Sequence, residues 1–317
     1  MRKPAKPICV FLDKLSIDCN DLDFSVITSS TDLTLYERSC ESEVVGRSVN
    51  AEIIITNKVR LDRKQIEHLP RLRLICVIAT GTNNIDFEAA ADNNIKVCNV
   101  KDYAAASVGQ HVLLLMLSLS TSFMQYQHDV NRGLWQKQDQ FCLLSHPIQV
   151  LAGKTIGLIG YGHIAKAVEK LVLAFGMKVV ISQSLIKTHE GRLPLNDVLK
   201  QSDFISLHCP LTDLTENLIG KPEFEIMKSS AYIINTARGG IINETDLLVA
   251  LKTGQISGAG LDCLAQEPPP ADDPLINANL AQLIITPHNA WGTHFARQKL
   301  VDETATNIKQ YITASTQ

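Results

Sequence analysis

The stretch that decides the fold is Lys154-Thr-Ile-Gly-Leu-Ile-Gly-Tyr-Gly-His-Ile-Ala-Lys-Ala-Val-Glu-Lys-Leu-Val-Leu-Ala-Phe-Gly176. Its first part, Thr155 to Ile159, is aliphatic and β-branched, which predicts a buried parallel strand. After Gly162 the apolar residues recur at helical spacing until Gly176, which stands where a helix C-cap is expected. The sequence therefore predicts a strand, a glycine-containing turn and a helix in direct succession.

The turn from Gly160 to Ala165 has the arrangement of a dinucleotide fingerprint. We expect Gly160 to permit the tight turn, Gly162 to let a pyrophosphate approach the backbone, and Ala165 to keep the helix close to the strand. The helix N-terminus, with His163 and Ile164, would offer N–H groups to phosphate. The pattern alone is also compatible with a turn that binds nothing, but the flanking strand and helix favour a nucleotide site.

Composition narrows the class of protein. A chain of 317 residues suits two domains, and 45% hydrophobic residues, 20% charged residues and a net charge of −3 predict neither a nucleic-acid nor a membrane partner. The apolar run Ile8–Leu12 is too short for a signal-peptide core. Eight cysteines lie scattered without C-x-x-C pairs, so we expect buried free thiols in a reducing cytoplasm and no metal site.

The first hundred residues alternate strand-like and helix-like segments, which predicts a small parallel sheet. The loop Val77–Asp86 follows one of these strands, and ligands of open α/β sheets collect beyond the carboxyl ends of strands, so this loop is a candidate substrate contact. The predicted strands are Ile8–Leu12, Ser25–Thr28, Glu52–Thr56, Leu72–Ala79 and Lys96–Val100, and the predicted helices are Arg63–Leu69 and Phe87–Asn93.

The remaining elements complete a second α/β unit. Ala104–Ser120 is apolar on almost every side, which predicts a helix covered on all faces by another domain or subunit; it is too polar at its start for a membrane span. Asn131–Gln149 should be an irregular connection, and Phe295–Ile312 an amphipathic last helix. The predicted strands after the fingerprint are Lys178–Ser182, Phe204–His208, Tyr232–Thr236, Gly258–Asp262 and Leu283–Thr286, and the helices are Pro194–Gln201, Pro222–Met227 and Glu244–Thr253.

Ionisable residues follow three of these strands. Arg238 could bind a carboxylate with its planar fork, His288 could transfer a proton near neutral pH, and Asp262 or Glu267 could hold the histidine in one tautomer. Each residue alone is also explained as a surface or turn residue. Their shared position beyond strand ends of the nucleotide-binding sheet favours a site.

Several motifs, in this order, resemble the D-isomer-specific 2-hydroxyacid dehydrogenases, and the resemblance extends from about residue 50 to the end. The segments 79–86, 107–111 and 290–292 are most similar to the glycerate dehydrogenase/hydroxypyruvate reductase branch. The segments that carry the family resemblance are Gly157-Leu-Ile-Gly-Tyr-Gly-His-Ile-Ala, Leu207-His-Cys-Pro-Leu-Thr, Asn235-Thr-Ala-Arg-Gly-Gly-Ile-Ile-Asn-Glu, Gly260-Leu-Asp-Cys and Thr286-Pro-His-Asn-Ala-Trp.

The resemblance implies a role for each matching residue. Arg238 would bind the substrate carboxylate and carbonyl, His288 would exchange a proton with the carbonyl oxygen, and Glu267 would pair with His288. Asp262 would face the nicotinamide. Substrate contacts are implied for Thr80, Gly81 and Thr82, and further dinucleotide contacts for Ser107, Cys209, Pro210, Thr236 and Ala237.

The resemblance also implies an α/β fold of two doubly wound parallel-sheet domains. Residues 1–101 with 292–317 would form a flavodoxin-like substrate domain, and residues 102–291 a Rossmann dinucleotide-binding domain, with the site in the cleft. The implied protein is a homodimeric, NAD-dependent enzyme that transfers a hydride between the cofactor and a small D-2-hydroxyacid or 2-oxoacid, such as glycerate, hydroxypyruvate or glyoxylate.

Gln183 stands where most members of that family have an acidic residue. An acid there bonds the adenosine ribose and repels a 2′-phosphate. Gln183 removes this repulsion, but Lys187 and Arg192 are near it only in sequence, so no cation is expected to bind a 2′-phosphate. We therefore expect NAD as the cofactor, with NADP as the alternative. Two other interpretations stay open: a dinucleotide-sensing protein similar to the C-terminal-binding corepressors, and a formate dehydrogenase, although that subfamily has Gln where this chain has Glu267.

Overall fold

A computed structural model describes residues 6–315. Within this range the chain forms two compact units. Unit 1 contains residues 6–103 and 292–315, and unit 2 contains residues 104–291. The chain therefore leaves unit 1 after residue 103 and returns to it at residue 292.

Eleven short strands carry the two sheets, and most central positions in them are aliphatic, as expected for parallel strands buried on both faces. In chain order they are β1 Ile8–Phe11, β2 Asp32–Leu35, β3 Ile53–Thr56, β4 Leu74–Val77, β5 Lys96–Asn99, β6 Thr155–Ile159, β7 Lys178–Ile181, β8 Phe204–Leu207, β9 Tyr232–Asn235, β10 Gly258–Leu261 and β11 Leu283–Ile285.

Eleven helices connect or follow these strands. They are α1 Ser25–Thr28, α2 Val44–Ser48, α3 Arg63–Ile66, α4 Phe87–Asp92, α5 Ala105–Ser120, α6 Phe123–Asn131, α7 His163–Ala174, α8 Leu195–Gln201, α9 Lys221–Ile226, α10 Glu244–Lys252 and α11 His294–Ser315.

Unit 1 is built on a five-stranded parallel sheet of order β2-β1-β3-β4-β5, the flavodoxin-like order. One predicted strand, Ser25–Thr28, is wrong: it forms helix α1, and the strand is Asp32–Leu35. The Asp23 carboxylate accepts from the backbone N–H and the hydroxyl of Ser25 and starts the helix. The true strand lies at the sheet edge and is largely exposed, so it lacks the apolar run that predicts a buried strand.

Unit 2 is built on a six-stranded parallel sheet of order β11-β10-β9-β8-β6-β7. The strand order reverses between β6 and β8, which is where a doubly wound sheet binds its ligand. The fingerprint turn follows β6 and therefore lies at this reversal. The predicted α/β class with two doubly wound parallel sheets is confirmed.

Helix α5 is only partly covered within the single chain, so its coverage on all faces by another domain or subunit stays a prediction. Val112, Leu115, Met116 and Leu119 are buried, but Leu114 is 53% exposed. After α6 the chain is irregular up to residue 154 except for a short 3-10 turn, as expected. None of the described helices could span a membrane alone; α5 and α6 satisfy that test of length and composition only as a pair, bent by 63°.

The cysteines are free thiols in the described structure, but they are not all buried. Cys9, Cys76 and Cys263 are buried in strands or directly after one. Cys19 and Cys40 are exposed because they lie in turns outside the sheet, so the prediction of burial is wrong for these two.

Candidate active site

The fingerprint turn of unit 2 fits glycine for steric reasons. Gly160 has a φ of +84°, and a Cβ there would lie 2.6 Å from the backbone nitrogen of Cys209. No larger residue could bring the ends of β6 and β8 so close. At Gly162, the N-cap of α7, a Cβ would meet nothing within 4 Å, so the space in front of the helix N-terminus is open. Ala165, in the first turn of α7, is fully buried, as expected for a helix that packs closely on the sheet.

Gln183 follows β7 and folds the loop 183–193 back on itself. Its amide nitrogen donates to the carbonyls of His189 (2.9 Å) and Arg192 (3.0 Å), and its amide oxygen accepts from the N–H of His189 (2.8 Å). Because both N–H groups are in use, a ribose hydroxyl could bond only to the remaining lone pair of the oxygen. The contact between Gln183 and a ribose stays a prediction.

This loop brings Arg192 to the fingerprint turn. The Arg192 guanidinium lies 5.3 Å from the centroid of the Tyr161 ring, and Nζ of Lys166 lies 5.8 Å from the same ring. The expectation that Arg192 is near Gln183 only in sequence is therefore wrong, because the Gln183 amide binds the Arg192 carbonyl directly. Two cations therefore flank Tyr161, which lies between Gly160 and Gly162. The Tyr161 hydroxyl donates a hydrogen bond to the carboxylate of Glu169.

Arg238 lies in the turn after β9. The Asn235 side chain fixes this turn by donating to the Arg238 carbonyl (2.8 Å) and accepting from the Ala237 N–H (3.0 Å). The Arg238 side chain is exposed and bonds only the carbonyl of Ala237, with no carboxylate partner in the described part of the chain. Its guanidinium is available to an external carboxylate.

The loop after β10 packs directly against this arginine turn. A Cβ at Gly239 would lie 1.9 Å from the carbonyl oxygen of Leu264, so only glycine permits the approach. The Leu264 N–H in turn bonds one carboxylate oxygen of Glu267 at 3.0 Å. A short chain of contacts therefore connects Arg238 to Glu267.

Glu267 and His288 form an ion-pair geometry. The second carboxylate oxygen of Glu267 lies 2.6 Å from Nδ1 of His288, and each side chain is 35% exposed. With Nδ1 bonded to the carboxylate, Nε2 is the nitrogen left to exchange a proton, and it has no partner among residues 6–315. His288 has a φ of +50°, and Trp291 Nε1 donates to its carbonyl (3.0 Å), which holds this left-handed residue in place.

Asp262 is 1% exposed and anchors the loop after β11. Its carboxylate accepts from the Thr286 hydroxyl (2.6 Å) and from the N–H groups of Asn289 (3.0 Å) and Ala290 (2.9 Å). His111 of α5 joins this network, with Nε2 2.9 Å from the Thr286 hydroxyl oxygen. This arrangement could not be predicted from the sequence, because His111 lies far from Asp262 and Thr286 along the chain. The implied contact of Asp262 with a nicotinamide stays a prediction.

The other predicted dinucleotide contacts lie at the same edge of the sheet or close to it. Cys209 and Pro210 follow β8, and Thr236 and Ala237 follow β9. The hydroxyl oxygen of Thr236 is buried and has no partner in the described chain. Ser107 is buried in α5, a helix that packs on β9 and β10. These residues therefore lie at the edge of the sheet that carries the fingerprint turn, and their contacts with a dinucleotide stay predictions.

The predicted substrate loop belongs to unit 1. Thr80 donates its hydroxyl to the Val100 carbonyl (3.1 Å), and its own carbonyl accepts from the Asn99 side chain (2.7 Å). The backbone N–H groups of Thr80 and Gly81 have no acceptor in the described part of the chain. Thr82 accepts from the Ile85 N–H (3.1 Å), which closes the loop. Two free N–H groups in a fixed loop suit an anionic oxygen.

Comparisons with known proteins agree with this geometry. The family model for the D-isomer specific 2-hydroxyacid dehydrogenase, NAD binding domain, matches residues 113–290. The chain is 41% identical to a glycerate dehydrogenase of Methylorubrum extorquens and 34% identical to a hydroxypyruvate reductase of Blautia hydrogenotrophica; the alignments cover 97% and 96% of this chain, respectively, and 97% of each relative.

A solved structure has the same fold. It is an acyclic imino acid reductase in complex with NADPH and D-Arg, with a TM-score of 0.83 and 29% identity, over 97% of this chain and 98% of that one. One assignment follows from the sequence identity along the whole chain. The fingerprint turn at the reversal of strand order, and the Glu–His pair and exposed arginine on neighbouring loops, agree with it. The chain belongs to the D-isomer specific 2-hydroxyacid dehydrogenase family.

Proposed function

We propose that this chain transfers a hydride between a nicotinamide dinucleotide and a small D-2-hydroxyacid or 2-oxoacid, with glycerate and hydroxypyruvate, or glyoxylate, as substrates. The observation that carries the proposal is the Glu267–His288 pair, which leaves Nε2 of His288 free. The loop that holds Glu267 contacts the turn that holds Arg238. The names of the glycerate dehydrogenase and hydroxypyruvate reductase relatives support the substrate class.

Each side chain of the site has a separate role in the proposed reaction. Arg238 binds the substrate carboxylate through its planar fork and orients the carbonyl. In reduction, protonated His288 gives the proton of Nε2 to the carbonyl oxygen, and in oxidation neutral His288 removes it. Glu267 stabilises the imidazolium and fixes which nitrogen faces the substrate. The nicotinamide, when bound, supplies or accepts the hydride. In unit 1, the free backbone N–H groups of Thr80 and Gly81 are proposed as hydrogen-bond donors to an anionic oxygen of the substrate.

The residues around the fingerprint turn support a nicotinamide dinucleotide, and the charges near this turn favour the use of both NADH and NADPH. The open space before Gly162, at the N-terminus of α7, supports the nicotinamide dinucleotide itself. Gln183 offers no negative charge against a 2′-phosphate, and Arg192 with Lys166 places positive charge beside the turn. We therefore propose that NADPH is accepted beside NADH. The NADPH complex of a structural relative is consistent with this.

We also propose that the partner of this chain is a second copy. Unit 2 exposes an unusual run of apolar side chains in and after α6, and Leu114 of α5 adds to them. The exposed set comprises Phe123, Met124, Trp135, Phe141, Leu144, Ile148 and Val150.

The test is oxidation of NADH and NADPH with hydroxypyruvate, glyoxylate, pyruvate and phenylpyruvate, repeated with His288→Asn. We expect turnover with the small 2-oxoacids and a fall in kcat of about 10²–10⁴-fold in the variant, the usual contribution of a positioned acid–base. Dinucleotide affinity should not change. His68→Asn, an exposed histidine of unit 1, is the control. Wild-type turnover by His288→Asn would remove His288 from the mechanism, and no turnover of any 2-oxoacid would overturn the proposed function.

A further inference from the structure

Unit 1 contains a pair of thiols that the proposed reaction does not use. Cys76 and Cys98 are directly opposed on the parallel strands β4 and β5, and their Sγ atoms are 3.3 Å apart. Neighbouring strands lie about 4.8 Å apart, within the Cα separation of about 4.4–6.8 Å that disulfides bridge. A disulfide would require the sulfur atoms to approach by only about 1.2 Å.

The position of Cys98 on an edge strand allows its sulfur to approach that of Cys76. Strand β5 is the edge of the sheet and, among residues 6–315, pairs with β4 alone, so it can shift without breaking a second ladder. Cys98 is partly exposed, whereas Cys76 is 1% exposed. A reagent in solution can therefore reach Cys98 first, and Cys76 is the buried partner.

The two thiols also differ in acidity, and Cys98, the thiol that a reagent reaches first, is the more acidic one. The hydrogen bond between the two thiols, together with the nearby charge of Lys96, lowers the pKa of Cys98. The same hydrogen bond, with burial, raises the pKa of Cys76. Since the thiolate is the nucleophile, Cys98 is the thiol expected to attack.

We propose that Cys76 and Cys98 form a thiol–disulfide site that reacts with small disulfides such as oxidised glutathione, and that its oxidation weakens substrate binding. The Cys98 thiolate attacks one sulfur of the small disulfide, whose S–S bond breaks and releases one thiolate. Cys76 gives its proton to that thiolate and attacks Sγ of Cys98, and the second small thiolate leaves and takes a proton from solvent. The two cysteine sulfurs lose two electrons, and one small disulfide becomes two thiols.

Hydrogen bonds connect this site to the substrate loop. Asn99, next to Cys98, donates from its side chain to the Thr80 carbonyl (2.7 Å), and the Thr80 hydroxyl donates to the Val100 carbonyl (3.1 Å). A third bond runs from the Val100 N–H to the Ala79 carbonyl (3.1 Å). A shift of β5 therefore moves the Thr80 N–H. This effect on substrate binding rests on the proposed function, whereas formation of the disulfide does not.

The experiment uses the full chain with Cys19→Ser and Cys40→Ser, which removes the two exposed thiols. After treatment with oxidised glutathione, non-reducing peptide mapping should show a crosslink between the peptides of Cys76 and Cys98. A further Cys76→Ser change should leave a glutathionyl adduct on Cys98, and Cys98→Ser should prevent both products. Absence of the crosslink, or a persistent adduct on Cys98 in the parent chain, overturns the proposal.

The functional arm measures KM for the 2-oxoacid and Kd for the dinucleotide before and after oxidation. We expect KM to rise about tenfold, the loss of one hydrogen bond to a charged group, and to recover with dithiothreitol. Dinucleotide affinity should stay constant, and Cys98→Ser should show no change on treatment. A crosslink with unchanged KM overturns the coupling to the loop. If the reduced protein turns over no 2-oxoacid, the proposed function fails, and peptide mapping still decides the thiol site.

Discussion

Arg238 and His288 each hold polar atoms that no other described residue uses, whereas the side chains of Asp262 and Asn235 bond to the loops beside them. The side chains at these strand ends therefore fall into two groups. One group presents its charge or its ring nitrogen to a ligand, and the other holds the loops that carry the first group. Variants of the first group should change kinetics more than stability.

Arg238→Lys should be damaging although it keeps the positive charge. A lysine ammonium cannot reproduce the two parallel bonds of a guanidinium to a carboxylate. We expect kcat/KM for 2-oxoacids to fall about 10–100-fold, the loss of one hydrogen bond to a charged group. The thermal midpoint should be unchanged. Steady-state kinetics of Arg238→Lys beside Arg132→Lys, another exposed arginine of unit 2, provide the measurement. Equal kcat/KM in the two variants would argue against a bidentate contact.

Arg192→Ala should lower the use of NADPH selectively. Opposite charges in a partly wet groove interact by about 1–2 kcal/mol, so kcat/KM for NADPH should fall about tenfold while that for NADH stays near its original value. Calorimetric titration with 2′,5′-ADP and with 5′-AMP gives a second measurement that is independent of turnover. Lys170→Ala, on the same helix as Lys166, is the control. An equal loss with both cofactors would mean that Arg192 only supports the loop.

These residues also show how far the sequence could predict the site. Gly160 and Gly162 could be recognised because their task is local, between one strand and the next helix. Arg238, Glu267 and His288 could be grouped because parallel strands end at the same edge. Arg192 and His111 could not be placed, because the contacts that bring them in, a Gln183 amide and a Thr286 hydroxyl, depend on the folded loops.

At the scale of elements, the loops after β9 and β10 are packed against each other through backbone atoms, so one cannot move without the other. The Gly239 turn abuts the carbonyl of Leu264, and the side chain of Asn235 closes the turn from within. Helices and strands with strong apolar patterns could be predicted from the sequence. The edge strand β2 could not, because its residues Asp-Leu-Thr-Leu are largely exposed and form no continuous apolar run.

Gly239→Ala should disrupt both loops together. A methyl group 1.9 Å from the Leu264 carbonyl oxygen forces backbone to move, which typically costs about 1–3 kcal/mol. We expect a lower free energy of unfolding and a loss of kcat/KM, since Arg238 and Glu267 lie on the two displaced loops. Gly46→Ala is the control, because a Cβ there meets nothing within 4 Å. Denaturant unfolding of both variants decides the matter; equal stability would show that the loops can separate freely.

At the scale of the whole molecule, the chain forms two parallel-sheet units, and the exposed apolar set lies in unit 2. Replacing Phe141 and Leu144, which are 91% and 75% exposed, by Asp should convert a dimer into single chains. The reason is the cost of placing unpaired charges inside an apolar interface. Size-exclusion chromatography with light scattering measures the change, and Phe295→Asp, 67% exposed in unit 1, is the control. A monomeric wild-type chain would overturn the dimer.

Helix α11 has a consequence for how the protein is made. Its residues Ala296, Leu300, Val301 and Ile308 are buried in unit 1, although they follow the whole of unit 2 in the chain. A ribosome releases residues 6–103 long before it releases this helix, so the first sheet emerges with one face uncovered. Unit 2 can close as soon as residue 291 has left the exit tunnel, whereas unit 1, although synthesised first, becomes complete last. The nascent chain therefore carries an incomplete apolar face through most of its translation, the interval in which exposed apolar surface favours aggregation.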